Sequence, residues 1–143
     1  MNRKNRSAFT LVEIMAVVII IGLLAAVAAS NFMGQTDKAR VKTTQATLKV
    51  LHEQVMMFKL DTGRFPTEEE GLKALVEKPS DVENWDPSGY LQSTKVPKDA
   101  WGNEYVYQLN PESGKPFVII SYGADRQEGG EGNDADLLST NAE

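Results

Sequence analysis

The apolar positions of this chain follow two different patterns within what reads as one helix. From Phe9 to Ala29 the run FTLVEIMAVVIIIGLLAAVAA holds 21 residues, of which only Thr10 and Glu13 are polar. At ~1.5 Å per residue that is ~30 Å of helix, the thickness of one hydrocarbon core. Farther on, Val41, Leu48, Leu51, Val55 and Phe58 recur at spacings of seven, three, four and three, with Lys42, Lys49, Glu53 and Lys59 largely off their line. This is one face of an amphipathic helix. No proline lies between Met1 and Phe65, so the helix need not stop before Asp61-Thr62-Gly63, a C-cap pattern ahead of Phe65-Pro66. A helix from Phe9 to Leu60 would be ~78 Å long. Gly22 and Gly34 weaken it by ~1 kcal/mol each relative to alanine.

Beyond the helix the pattern changes again. Thr67-Glu68-Glu69-Glu70 places a cap and an acidic first turn before Gly71–Val76, predicting a short helix that ends before Pro79. A loop with Trp85, Pro87 and Gly89 follows. Glu104–Leu109 and Pro116–Tyr122 are rich in β-branched and aromatic residues, and Asn110–Lys115 between them is turn chemistry, which predicts a hairpin. The expected fold class is α+β: a long N-terminal helix, membrane-spanning in its first half, packed on a small antiparallel sheet with a short helix. His52 reads as a surface or packing residue, Met56 and Met57 as core fillers, and Trp101 as a packing anchor at a turn.

Charge and composition narrow the function. The net charge is −5, and Arg3, Lys4 and Arg6 supply three of fifteen positives, so the rest of the chain sets twelve positives against twenty carboxylates. An acidic body argues against nucleic acid as a partner. With no cysteine and one histidine, disulfides, thiolate metal sites and Cys or Ser–His nucleophiles find no residues, and a non-enzyme is expected. The glycines from Gly123 to Gly132 lack the phosphate-loop pattern. The basic start and Ala26-Val27-Ala28 imitate a secretory signal, but the apolar run is too long and carries a carboxylate. Positive charge stays cytoplasmic, which places the C-terminal body outside.

Glu13 is the most informative residue. A carboxylate within a bilayer costs on the order of 2.5–3.5 kcal/mol, so it usually has a partner. One reading is a side chain near the cytoplasmic headgroups, protonated or snorkelling. The sharper one is that a neighbouring subunit supplies the positive charge, and cleavage before Phe9 would create such a charge as a free α-amine.

Arg6-Ser7-Ala8-Phe9-Thr10-Leu11-Val12-Glu13 resembles the class III signal of type IV pilins and type II secretion pseudopilins. The resemblance implies that a prepilin peptidase cuts between Ala8 and Phe9 and methylates the new N-terminus, and it makes Glu13 the family's assembly carboxylate. Two positions depart from the pattern: Ala8 stands where Gly is usual, and Ser30 where Pro is frequent. Asp61-Thr62-Gly63-Arg64-Phe65-Pro66-Thr67 with Glu70-Gly71-Leu72, Val96–Asn103, and Ser121–Asp125 with Gly129–Asp136 resemble segments of the major pseudopilins. The implied organisation is a leader over 1–8, a transmembrane and assembly helix over 9–29, and a periplasmic domain over 30–143. The implied function is a structural subunit of the type II secretion pseudopilus. The expected partners are further copies in a helical filament, minor pseudopilins, an inner-membrane assembly platform and the prepilin peptidase. The subunit would sit in the bacterial inner membrane as a single-pass protein before assembly. A type IV pilus subunit and a secreted or membrane-anchored calcium-binding module are the alternatives.

Asp125, Glu128, Glu131, Asp134 and Asp136 put five carboxylates into twelve residues. Composition alone favours a solvated acidic loop, although flexible oxygen donors also suit calcium. The spacing is not an EF-hand. The resemblance implies a calcium ion in this C-terminal loop, with side chains of Asp125 and Asp134, then Asp136, and backbone carbonyls near Tyr122 as ligands. Gly129 and Gly130 would permit the wrap.

Overall fold

The computed structural model describes residues 9–141, the backbone alone over 30–33. The expected leader over 1–8, Ala8 included, lies outside the described residues. One helix, α1, runs Leu11–Thr62, and the chain separates within it into a unit that ends at Thr36 and a second that begins at Asp37.

In the first unit the large apolar side chains among the described residues are exposed. Leu11, Val18, Ile19, Leu23 and Val27 are all more than half exposed. A bilayer-length apolar window in α1 has none of its residues buried, and it belongs to the one helix among the described residues that is long and apolar enough to cross a membrane. A Cβ added at Gly22 or Gly34 would meet no neighbour.

The second unit holds the core. Thr44, Leu48, Leu51, Val55 and Phe58 of α1 are completely buried, whereas Val41 is only partly covered. Met56 and Met57 are exposed. They are not core fillers, because 100° and 200° of helical rotation carry them away from the line through Val55. The helix ends as its sequence predicts. The Thr62 hydroxyl donates to the Phe58 carbonyl at 2.7 Å, and Gly63, at φ +82°, donates its amide to the Lys59 carbonyl at 2.8 Å.

The short helix is a 3-10 helix over Gly71–Leu75 rather than an α-helix. Thr67 and Glu70 bond reciprocally, the Thr67 amide to Glu70 Oε2 and the Glu70 amide to Thr67 Oγ1. Gly71 then turns to φ +52° and ends that turn before a helix can propagate. Leu72, Ala74 and Leu75 still reach the core.

The predicted hairpin is present with shorter strands, β1 Val106–Leu109 and β2 Phe117–Ser121. They pair antiparallel with Val106 opposite Ile120 and Leu109 opposite Phe117. The structure adds β3, Leu137–Leu138, on the other side of β2, so the order is β1-β2-β3. The central strand is buried along its whole length. Phe117 and Ile119 join Leu48, Leu51, Val55 and Phe58 in one core. His52 stacks on Phe117 at 4.5 Å, and its Nδ1 lies 3.2 Å from Ser139 Oγ. That hydroxyl accepts from the Ile119 amide at 3.0 Å. The C-terminal tail therefore ties the helix to the central strand.

Candidate functional site: the helix start and the C-terminal loop

At the start of α1, Phe9 is exposed. The Thr10 amide donates to Glu13 Oε2 at 2.8 Å and the Thr10 hydroxyl to the same oxygen at 3.1 Å. The Glu13 amide returns a bond to Thr10 Oγ1 at 3.2 Å. This is a capping box, which satisfies amides that a first helical turn leaves open. The Thr-x-x-Glu spacing itself carries that signal. The carboxylate also stands where the positive end of the helix dipole favours an anion.

The second candidate, the loop from Tyr122 to Asp136, wraps closely on itself. The Ala124 amide donates to the Asn133 carbonyl at 2.9 Å. Gly123 is buried at φ +63°, and a Cβ there would lie 2.6 Å from the Asn133 oxygen. A Cβ on Gly130 would run into the Asp134 backbone. Only glycine allows these two approaches.

Its carboxylates are placed unequally. Asp136 Oδ2 accepts from the Gly129 amide at 3.0 Å, spanning the loop. Its Oδ1 is buried and has no hydrogen-bond partner among the described residues. Asp125 Oδ1 accepts from the Gln127 amide at 3.0 Å and fixes a local turn. Asp134 is exposed, as are Glu128 and Glu131, and Tyr122 is half-buried. No three His, Cys, Asp or Glu side chains converge on one point among the described residues. A cation held here would take most of its oxygens from the backbone. The orphaned Asp136 oxygen and the tight wrap fit such a donor set.

A buried carboxylate that the sequence reading passed over lies beside this loop. Asp99, 6% exposed, accepts at Oδ1 from the amides of Trp101 at 3.0 Å and Asn103 at 2.8 Å. Its Oδ2 accepts from the Ser121 hydroxyl at 2.7 Å. Asn103 Nδ2 donates to the Gly123 carbonyl at 2.9 Å. Trp101 is half-buried at this turn.

The family described as type II secretion system, protein G, matches residues 31–140. The prokaryotic N-terminal methylation motif matches residues 3–29. The type II secretion system core protein G of Pseudomonas aeruginosa is 44% identical over 140 residues, 96% of each chain. That of Vibrio cholerae is 39% identical over 140 residues, 96% of this chain and 94% of its own. The crystal structure of the major pseudopilin from the type 2 secretion system of enterohaemorrhagic Escherichia coli superposes with a TM-score of 0.62 at 32% identity, covering 76% of this chain and 92% of that one.

Proposed function

The chain belongs to the type II secretion system protein G family and is a structural subunit of the pseudopilus; from that premise we propose how it assembles. Prepilin peptidase cuts between Ala8 and Phe9 and methylates the Phe9 amine. The subunit waits in the inner membrane with residues 9–29 across the bilayer and the domain from residue 30 in the periplasm. An assembly platform then adds it to a helical filament with further copies and minor pseudopilins, and the filament helps export folded proteins across the outer membrane. The observation that carries this reading is the exposed apolar surface of the first unit among the described residues, in a chain whose second unit has its own core. Lipid covers that surface before assembly and neighbouring helices cover it afterwards.

In the filament Glu13 pairs with the Phe9 amine of an adjacent protomer. Its bonds to Thr10 use Oε2, which leaves Oε1 to accept from that amine. Desolvation offsets much of the attraction, so the pair sets register more than it adds stability. Glu13→Leu should insert and be cleaved, yet form few filaments by electron microscopy. Normal filaments and normal secretion from that variant would overturn this role.

The loop from Tyr122 to Asp136 holds calcium chiefly through backbone carbonyls, those near Tyr122 among them, and Asp136, with the side chains of Asp125 and Asp134 drawn in when the ion binds. The ion neutralises a strongly acidic segment and, by binding only the folded loop, stabilises it. The orphaned Asp136 oxygen supports this reading.

A further inference from the structure

Resting on the calcium reading above, we infer that Asp99 and Asn103 are positioning residues for the calcium loop, fixing its first limb at Gly123 before the ion arrives. Asp99 is anchored on three sides. Its two oxygens take the amides of Trp101 and Asn103 and the hydroxyl of Ser121, the last residue of β2. No ion pair reaches it among the described residues. A buried carboxylate without a cation is tolerated only when such donors satisfy it, and breaking any of them is costly. The same turn is tied to the helix, because the Ala100 amide donates to the buried Thr44 hydroxyl at 3.2 Å. The segment 99–103 is thus held by α1 and β2 and offers a fixed platform.

Asn103 is what that platform presents to the loop. Its Nδ2 donates to the Gly123 carbonyl, while its Oδ1 is buried without a hydrogen-bond partner among the described residues. A buried amide oxygen left unpaired is costly, so packing alone would favour an apolar side chain of similar size. The geometry supplies the compensating task. Gly123 is the residue against which the returning limb, Asn133 to Ala135, closes, and the Ala124 amide begins the cross-loop bonding. Holding Gly123 from outside orders one limb in advance, so that carboxylates which repel one another need not be gathered by the ion alone. Outer partners of this kind typically change metal affinity by about 10–100-fold.

The test is calorimetric titration of calcium chloride into the full chain in detergent micelles, with thermal melting in excess chelator alongside. Asn103→Ala should weaken calcium binding about tenfold or more, and the rise in melting temperature that calcium gives should shrink. A purely structural residue would lower the melting temperature equally with and without calcium and leave the affinity unchanged, and that result overturns the inference. Should Asn103→Ala not fold, Ser121→Ala removes a single bond to Asp99. It should weaken calcium binding about threefold, below the usual range for outer partners, and wild-type affinity there overturns the inference too. A wild-type chain that takes up no calcium overturns the calcium reading itself, and this role with it.

Discussion

The two parts of α1 share one backbone conformation and differ in how apolar residues are arranged around it. From Leu11 to Val27 large apolar side chains are exposed all round the helix; Val18 is 62% and Leu23 65% exposed. From Asp37 onward one stripe is apolar, and Leu48, Leu51, Val55 and Phe58 are 0% exposed against Phe117, Ile119 and Leu75. A stripe can be satisfied by a single layer, here the chain's own sheet. A helix apolar all round needs apolar surroundings all round, which a domain of this size does not supply and lipid or neighbouring helices do. On the assembly proposed above, the difference separates folding from assembly: one part of the helix stabilises the subunit, and the other is kept for the membrane and the filament.

The strongest way to break that separation is to truncate one residue on each side of it. Phe58→Ala should cost about 3–5 kcal/mol, through lost burial and a residual cavity, read as a lower midpoint in thermal or denaturant unfolding. Ile19→Ala should leave that midpoint within about 0.5 kcal/mol while lowering the yield of filaments. Equal loss of stability from both would erase the distinction.

Calcium comes next in size. At a free concentration one hundred times its dissociation constant the ion should add about 2.7 kcal/mol to the second unit alone. Chelator should lower the midpoint accordingly, and Asp136→Asn should remove most of that sensitivity. Identical melting with excess calcium and with chelator would leave the loop without an ion.

A smaller effect sharpens the picture of how the second unit closes around the end of its helix. Glu70 takes both Arg64 nitrogens at 2.8 Å, and Arg64 Nη2 also reaches Asp81 at 2.7 Å. The Arg64 hydrogen bonds hold Glu70 at a pKa of about 2, against an ordinary 4.5, in spite of partial burial. A carboxylate with a depressed folded pKa binds fewer protons folded than unfolded, so its stabilisation is complete above pH 4.5 and is lost as pH falls toward about 2. Glu70→Gln should cost about 2 kcal/mol at neutral pH and flatten the acid limb of a stability–pH curve between those values. An unchanged acid limb would mean that the pair contributes nothing.

Much of this was legible in the sequence because it is periodic or local. The 21-residue apolar run, the stripe from Leu48 to Phe58, the Gly63 cap and the hairpin each carry their signal within a few residues. Errors arose where a local cue pointed elsewhere: Met56 and Met57 are apolar yet off the buried line, Thr44 is polar yet on it, and Gly71 converts an apparent α-helix into a 3-10 helix. What no local pattern encodes is long-range pairing. The two-residue β3, the Ser139 hydroxyl between His52 and Ile119, and the bonds from Asp99 to Ser121 and from Asn103 to Gly123 join residues sixteen or more positions apart. Five carboxylates in the C-terminal loop were equally plain in the sequence, but only the fold singles out Asp136 as the one with an unpartnered buried oxygen.

The separation of folding from assembly is tested most directly by preparing residues 34–143 alone and measuring light scattering and thermal unfolding with calcium present. The account predicts a monomer that melts cooperatively at the temperature of the full chain, since among the described residues the buried core begins at Thr44. Stable oligomers of the fragment, or a fragment that does not fold, would contradict it.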